Sequence, residues 1–565
     1  MATVLMEKPL IAVLTLSEAW RRLRRRLRTG PIHYLRFVGG APERLNVVPP
    51  SLRTGDPITA EAIYGGRFHL AGKLVEAGQD SIFRVASPSE CFEAELNGFS
   101  WLNHHAAAGD ALARQNARSL IEDWLRLRAH RLSGPAYKPE VSARRLIAWL
   151  SHADLILDGA SYDFYRRFLK SLMAQTRFLR SVAAEAPDGL PRLMVRMALA
   201  LATLCLPMPA GRTKAAAQNL AAELDRQILP DGGHVSRNPE ALAIILAELL
   251  PIRETLIGQG QPVPKGIYSA IDRMLPALRF FRHADGSLAL FNGTGPSELQ
   301  LLAALMRFDE TLGDPISHAR HSGYHRLTGG GTVVIADTGC PPPAALSHNA
   351  HAGTLAFELS SEMARIVVNC GRPTVGQPEL KRLGRSTAAH STVTLNDRSS
   401  SRFAAHSNLD RFLGSPLVPG PTTIALEELG DDHAARTSGF RASHNGYERD
   451  FGVLHSRMLA LSPDGGRLEG RDAVRPARRA KVRGEPITAA ARFHLHPSVS
   501  VETIGGFARL SLRGQVWRFT ADQPFSVEDS ILFADSAGTR RTLQLVIAFD
   551  PVLTPEISWS FEREH

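Results

Sequence analysis

The chain has few cysteines and no long hydrophobic run, and each scarcity excludes a class of protein. Its 565 residues include only 4 Cys, which lie far apart and form no Cys-x-x-Cys pair: Cys91, Cys205, Cys340 and Cys370. This spacing excludes a disulfide scaffold and a cysteine-rich zinc site. The longest uncharged apolar stretch, residues 197–209, is shorter than the ~20 residues that a membrane-spanning helix needs. We therefore expect a chain without a transmembrane segment.

Lysine is also rare, so the positive charge of the chain rests almost entirely on arginine. Lys and Arg together number 66 against 56 Asp and Glu, which gives a net charge of +10. Arginine binds carboxylate, sulfate or phosphate through two parallel donors, so the excess fits a groove for an acidic polymer, although a compositional bias toward arginine explains it equally well. We expect no nucleic-acid partner, because no zinc finger, basic zipper or RNP-like motif is present. The densest basic run, residues 21–28, is typical of a solvated or interfacial helix face.

The hydrophobic pattern changes near residue 320 and predicts an α + β protein with two different halves. Residues 108–320 contain about seven segments of helical period, joined by short Pro, Gly and Asp turns. Successive helices with short connections pair antiparallel, which predicts an incomplete α/α toroid, with residues 1–107 leading into it. Over residues 321–565 the period falls to two, with turn residues between short runs. This pattern predicts an antiparallel β-sandwich.

Histidines near the predicted strand ends are the first candidates for chemistry. His348-Asn349-Ala350-His351 precedes one predicted strand, and His390 precedes another. Loops at strand ends often carry catalytic or ligand side chains on a rigid scaffold. These imidazoles could therefore serve as a base, a charge neutraliser or metal ligands, or they could simply satisfy buried loops.

Two further polar groups are candidates. The loop over residues 231–239 contains His234, Arg237 and Asn238 and joins two predicted helices. Inter-helix loops on one rim of an α/α array line its concave groove, so these side chains could face a ligand there. Tyr447, one of only 8 Tyr, lies just ahead of a strand and is either an acid/base or a packing residue of the sandwich.

The order of these motifs resembles the heparinase II/III-like family of polysaccharide lyases. The resemblance rests on a helical half before a sandwich, on the segment from His348 to Glu358, and on four further motifs: Val368–Gly371, Ser386–Thr392, Asn97–Leu102 and Asp231–Pro239. It implies a toroid carrying a β-sandwich, with a uronic-acid polysaccharide in the cleft between them. It also implies β-elimination, in which one group neutralises the uronate carboxylate while a Tyr or His moves the protons.

Carried over residue by residue, the resemblance leaves gaps on both sides of the cleft. The catalytic histidine of the sandwich side falls on Asn349, with His348 directly before it. On the helical side, the Ser-Pro-x-Tyr motif of relatives reads Asn238-Pro239-Glu240-Ala241, and alanine cannot transfer a proton.

The family resemblance also implies a structural zinc. His351 and His390 match two histidines that bind this metal in relatives. Asn369 takes the place of the aspartate ligand. A neutral amide is a poor zinc ligand, so the metal site is weakened and no other cofactor is expected.

Two hypotheses remain open. In the first, the chain cleaves an acidic polysaccharide by β-elimination; in the second, it keeps the fold and binds an acidic glycan, or serves envelope biogenesis, without cleavage. Hydrolysis by paired carboxylates is a third interpretation, which the candidate loops support least. The first hypothesis assigns catalysis to His234, His348 and Tyr447, and substrate binding to Arg237, Asn238 and Asn349.

The sequence points to two compartments. The resemblance implies the cell envelope or periplasm, where the polymers of this family are found. The first 20 residues carry Glu and Lys ahead of a short apolar patch and have no good cleavage site, so they do not resemble a secretory signal. A cytoplasmic location is therefore the alternative, and the oligomeric state is open.

Overall fold

The two halves expected from the hydrophobic period are present. The computed structural model describes residues 4–28, 36–78, 80–130, 132–310, 313–374, 377–403, 407–418, 420–429, 438–477 and 486–564. Helices dominate up to Met306, and strands dominate from His318 onward. The fold class, a helical toroid followed by an antiparallel β-sandwich, is confirmed.

The helical half begins with a long helix and a small hairpin and continues as a series of packed helices. Proline occupies the first turn of several of them, where its missing N–H costs no hydrogen bond. None of the described helices is both long and apolar enough to cross a membrane. The elements are α1 (Val4–Arg28), α2 (Pro57–Tyr64), β1 (Arg67–Leu70), β2 (Lys73–Glu76), α3 (Glu90–Gly98), α4 (Leu102–Ala108), α5 (Ala111–Leu127), α6 (Pro139–Ser151), α7 (Ala153–Leu157), α8 (Tyr162–Val182), α9 (Leu190–Cys205), α10 (Ala210–Gln227), α11 (Pro239–Gly258), α12 (Lys265–Phe280) and α13 (Leu299–Met306).

Helix α9 is the centre of this half. Its sequence is apolar on nearly every side, and it packs against α6, α8, α10 and α11. A helix that is hydrophobic all round must be buried on all sides, which is why its neighbours surround it. The core of the helical half continues into the sandwich through Tyr324, Val333, Ile335 and Ala356, so the two halves share one apolar interface.

The second half contains two antiparallel sheets and a few short helices. The elements are β3 (His318–Ala319), β4 (Tyr324–Gly329), β5 (Thr332–Asp337), β6 (Phe357–Ser361), β7 (Ala364–Val368), α14 (Pro378–Gly384), β8 (Val393–Leu395), α15 (Ser407–Leu413), β9 (Ile424–Leu429), β10 (Ser438–His444), α16 (Glu448–Phe451), β11 (Val453–Leu461), β12 (Arg467–Pro476), β13 (Ala489–Leu495), β14 (Ser500–Ile504), β15 (Phe507–Leu512), β16 (Gln515–Ala521), β17 (Ser526–Leu532), β18 (Arg540–Phe549) and β19 (Glu556–Glu564).

The strands form two antiparallel sheets, one of which meets the helical half. An eight-stranded sheet has the order β14-β15-β16-β19-β12-β11-β10-β9. The second sheet has the order β17-β18-β13-β7-β6-β5-β4-β3, with β8 paired to β13, and its β4 and β5 meet the helical half. Aromatic rings fill the space between the sheets, and Trp559 stacks on Phe357 with centroids 5.4 Å apart. The opposite residue of Trp559 is Gly470, where an added Cβ would lie 2.1 Å from the indole, so only glycine fits.

Candidate functional site

Arg237 fastens the helical half to the sandwich. It follows α10 in a loop with a left-handed backbone (φ 61°) and is 7% exposed. Its Nε donates to the carbonyl of Ser322 at 2.7 Å, its Nη atoms donate to three further carbonyls, and it forms an ion pair with Asp337. The guanidinium also lies 4.7 Å from the ring centroid of Tyr324. Every N–H donor of the guanidinium already faces a protein acceptor. Arg237 therefore links the helical half to the sandwich, and it is not the exposed substrate contact that the sequence suggested.

His234 lies three residues before Arg237 in the same loop and is also buried. Its Nε2 shares a hydrogen bond with Oε1 of Gln227 at 2.9 Å, and its Nδ1 shares one with Oγ of Ser236 at 2.7 Å. Burial lowers the pKa of His234 to about 4. The ring is therefore neutral near pH 7, with both nitrogens occupied, and it does not face a groove as the sequence suggested.

Asn238 begins α11 and does not face a ligand. Its Oδ1 accepts from the backbone N–H of Glu240 at 2.9 Å, which is the ordinary N-cap bond of a helix. The same oxygen accepts from the hydroxyl of Thr294 at 3.1 Å. Ala241, at the position where the resemblance places a tyrosine, is 1% exposed in the first turn of α11. The sequence had assigned Asn238 to substrate binding, and its side chain is instead used for capping.

A buried network joins the loop of Arg237 to the histidine motif of the sandwich. Asn292, which has a left-handed backbone (φ 47°), donates to the hydroxyl of Tyr324 at 2.7 Å and to Asp337 at 3.1 Å. Its Oδ1 accepts from the N–H of His351 at 3.1 Å. Asn292 could not be identified from the sequence, because it lies in none of the motifs and its partners are 32 to 59 residues away along the chain.

Tyr447 lies within the sandwich, away from the junction between the halves. It is 1% exposed, and its hydroxyl donates to the carbonyl of Val393 at 2.7 Å. Burial also raises its pKa above the usual value. The packing role that the sequence left open fits this position, whereas a catalytic role would need the phenol to face a substrate.

His351 and His390 meet, but the zinc ligand set around them is incomplete. Nδ1 of His351 and Nε2 of His390 share a hydrogen bond at 2.9 Å, and burial lowers the pKa of both rings. Asn369 points its amide elsewhere: Nδ2 donates to Glu358 and Oδ1 accepts from the N–H of Ser391. The two imidazoles are hydrogen-bonded to each other, and the amide of Asn369 is hydrogen-bonded to Glu358 and Ser391. This arrangement does not fit a tetrahedral zinc site.

A different group of side chains has the spacing of metal ligands. Within the described ranges, His318, His325 and Glu428 offer ligand atoms that lie within 4.8 Å of one another. Nδ1 of His318 shares a hydrogen bond with Glu428 at 2.9 Å, while the two imidazoles stack with centroids 4.1 Å apart. The group joins β3 and β4 of one sheet to the edge strand β9 of the other. Sequence reasoning missed it, because 110 residues separate His318 from its carboxylate partner.

His348 and Asn349 remain accessible. His348 is half-buried and its Nδ1 faces the carbonyl of Gly414 at 3.2 Å. Burial lowers the pKa of this ring, and the nearby charges of Lys381 and Arg385 lower it further. Asn349 is exposed and packs against the backbone of Gly293. Of the predicted catalytic side chains, only His348 keeps a partly open ring.

Asn349 borders a charged hollow at the junction of the halves, which we call the junction recess and define by Arg53, Arg144, Glu240, Asn349 and Arg372. Arg372 donates to both carboxylate oxygens of Glu240 at 2.9 Å and to the carbonyl of Gly293 at 2.8 Å. Arg53 donates to Glu248 at 3.0 Å.

Arg144 is the open cation of this recess. Its side chain is exposed, yet its pKa is lowered, first by the loss of surrounding water and then by the charge of Arg53. An exposed arginine with these neighbours lies in a hollow and not on a convex surface. It makes no hydrogen bond or ion pair with any residue that the structure describes. Its donors are therefore available to an anionic ligand.

Comparisons with known proteins agree with the fold and with the order of the halves. Residues 311–560 match the family model described as "Heparinase II/III-like, C-terminal". The chain is 32% identical over 495 residues to FtsZ-localized protein C of Caulobacter vibrioides (strain NA1000 / CB15N). The aligned region covers 86% of this chain and 83% of the relative.

Two solved structures show the same architecture over nearly the whole chain. The crystal structure of heparinase III has a TM-score of 0.69 at 13% identity and covers 94% of this chain and 88% of its own. Heparan sulfate lyase HepC from Pedobacter heparinus has a TM-score of 0.54 at 13% identity, with 94% and 87% covered. At this identity the likeness concerns the fold alone.

Proposed function

The chain belongs to the heparinase II/III-like family, and from that premise we propose that it is a non-catalytic member that binds an acidic glycan in the junction recess. The observation that carries the proposal is the state of the proton-transfer groups. His234 and Tyr447 are buried with their polar atoms hydrogen-bonded inside the protein, and Ala241 has no proton to transfer. β-Elimination needs a base at the uronate α-carbon and an acid at the leaving oxygen.

The remaining imidazole does not supply both functions. His348 is the predicted catalytic residue with an accessible ring, and burial and three nearby cations lower its pKa. A neutral imidazole can accept one proton, but the reaction also needs a donor and a group that neutralises the carboxylate. Arg237, which was expected to neutralise it, is fully engaged with Asp337 and backbone carbonyls. Binding without cleavage is therefore the hypothesis that this geometry supports best.

The charge of the recess suits carboxylate and sulfate groups. Arg144 has free donors, and a guanidinium binds such groups through two parallel hydrogen bonds. Arg372 lies close by, although Glu240 now occupies its Nη2. A sugar acid that displaced Glu240 would gain a second arginine.

We propose further that the protein acts in the cytoplasm at the division site. The proposal rests on the relative that is 32% identical, which carries the name FtsZ-localized protein C. A fluorescent fusion imaged together with FtsZ in the native cell tests this. Coincident bands are expected, whereas a uniform envelope signal that ignores FtsZ would contradict the proposal.

Binding is tested with immobilised heparan sulfate, hyaluronan and polygalacturonate. Arg144→Ala is expected to weaken binding of the preferred polymer about tenfold, equal to about 1.4 kcal/mol. Arg541→Ala removes an exposed arginine of β18 outside the recess and serves as the matched control. Equal affinity of the parent and both variants would contradict the assignment of the recess.

A further inference from the structure

Helix α1 presents an apolar stripe to solvent. Six large apolar residues are exposed between 41% and 70% of their surface and follow one another at intervals of three or four residues: Leu10, Val13, Leu16, Trp20, Leu23 and Leu27. At 3.6 residues per turn this spacing places them on one side of the helix. A stripe of this length on the outside of a folded protein marks an interaction surface.

The side of α1 that faces the protein is the more polar one. The half-buried positions lie on the side opposite to the stripe, and four of the six are polar or charged: Ile11, Leu14, Thr15, Glu18, Arg21 and Arg25. No residue between 9 and 28 is fully buried. The helix therefore directs most of its large apolar side chains away from the core, which is the reverse of an ordinary surface helix.

The C-terminal half of α1 is tied to both halves of the protein in this orientation. Arg22 donates to the carbonyl of Phe412 on α15 at 2.7 Å, and its guanidinium lies 4.2 Å from the centroid of that ring. Arg28 forms an ion pair with Glu185 at 2.6 Å, at the end of the helical segment that follows α8. These contacts fix the stripe on the outer surface.

Arginines border the stripe. Residues 19–28 contain six arginines and no acidic residue. On the helical wheel Arg24 lies on one side of the stripe and Arg26 lies on the other. The guanidinium of Arg24 sits 4.9 Å from the ring centroid of Trp20. A surface that meets the stripe must therefore accept apolar side chains and, beside them, several positive charges.

We propose that α1 is a membrane-surface helix, which lies in the headgroup region of a bilayer rich in anionic lipid. The stripe would enter the acyl boundary while the flanking arginines pair with lipid phosphates. A second copy of α1 offers no matching charge. In a parallel pair of α1 helices the two arginine-rich ends would face each other. In an antiparallel pair each arginine-rich end would face residues 4–17 of the other helix, which contain one Glu and one Lys and therefore no net charge. Only an anionic surface complements both features.

Trp20 provides a specific signal for the test. It is 54% exposed, whereas the other five tryptophans are at most 3% exposed: Trp101, Trp124, Trp149, Trp517 and Trp559. Iodide therefore quenches mainly Trp20 in the free protein. The full chain is mixed with vesicles of phosphatidylcholine alone or with added phosphatidylglycerol, and both co-sedimentation and iodide quenching are measured.

We expect binding and protection of Trp20 with the anionic vesicles, little of either with the neutral ones, and loss of binding at high salt. Leu16→Ser combined with Leu23→Ser is expected to lower vesicle affinity at least tenfold, since both side chains are exposed and their loss leaves the core intact. Val552→Ser with Leu553→Ser removes two apolar side chains that are even more exposed, from the turn after β18, and should leave vesicle affinity unchanged.

Two outcomes would overturn the proposal. One is equal binding of the parent and the α1 variant to anionic vesicles. The other is a dimer in light scattering that the α1 variant abolishes, without any vesicle binding by the parent, since the stripe would then meet a second copy. The vesicles contain no glycan, so either result is independent of the ligand proposed for the junction recess.

Discussion

Replacing Arg237 tests whether this residue fastens the two halves or contacts a ligand. In Arg237→Met four carbonyls lose the hydrogen bonds from the guanidinium, and Asp337, which is 3% exposed, loses its counter-charge. Removing one partner of a buried ion pair costs about 3–5 kcal/mol, because the other charge stays buried. Asp337 keeps only neutral donors, among them Asn292 and the N–H of Gly339. We therefore expect a loss of stability of about that size.

The assay is urea unfolding followed by tryptophan fluorescence, with Arg144→Ala as the matched arginine control that should stay within about 0.5 kcal/mol of the parent. Combining Arg237→Met with Asp337→Asn should cost less than the sum of the two single changes, because no buried carboxylate is then left unpaired. The reasoning is refuted if Arg237→Met changes stability by less than about 1 kcal/mol and at the same time abolishes polymer binding.

Three further outcomes follow from the site. His234 and His390 have pKa values of about 4 against 6.5 when unfolded, so the unfolded state takes up more protons and stability falls as the pH drops from about 6.5 toward 4. Each ring contributes a loss of about 2 kcal/mol at pH 5, and a flat urea midpoint between pH 7 and 5 would contradict this. Asn238→Ala should lower the free energy of unfolding, measured by thermal unfolding, by about 1 kcal/mol through loss of the α11 cap. Asn238→Asp should retain most of the stability that this cap provides. Glu240→Gln should loosen its hold on Arg372 and strengthen polymer binding up to about tenfold in the immobilised-polymer assay, and weaker binding would argue against the recess.

The architecture could be predicted from the sequence because it follows from local periodicity. Segments such as residues 193–206 repeat their apolar residues at helical spacing, and β11 alternates buried and half-buried side chains along its whole length. Such patterns report which side of an element faces a core. They do not report which loops meet across the fold, and for that reason the site was harder to predict.

The motifs drew attention to loops whose side chains the structure places differently from what the sequence suggested. The loop that holds His234 and Arg237 does lie at the junction, yet its polar atoms face Gln227 and Asp337 instead of a groove. Nothing in the sequence separates an arginine that binds a ligand from one that binds four carbonyls. The neighbours Arg144 and Arg145 illustrate the difficulty.

Arg145 is fully buried and donates to Gln175 and to the carbonyl of Asn97, whereas Arg144 is exposed in the recess. One step along a helix turns a side chain by 100°, so the two adjacent residues point into different surroundings. Their roles depend on contacts with α3 and α8 that local patterns do not encode.

An assay for cleavage distinguishes most directly between a glycan-binding protein and a polysaccharide lyase. Purified protein is incubated with the panel of uronic-acid polymers, and the ultraviolet absorbance of unsaturated uronate is followed, with the heparan sulfate lyase HepC on heparan sulfate as the positive control. We expect a polymer that binds through Arg144 and yields no unsaturated product over many hours. Product formation by the parent that disappears in His348→Ala would contradict the account and identify the chain as an active lyase.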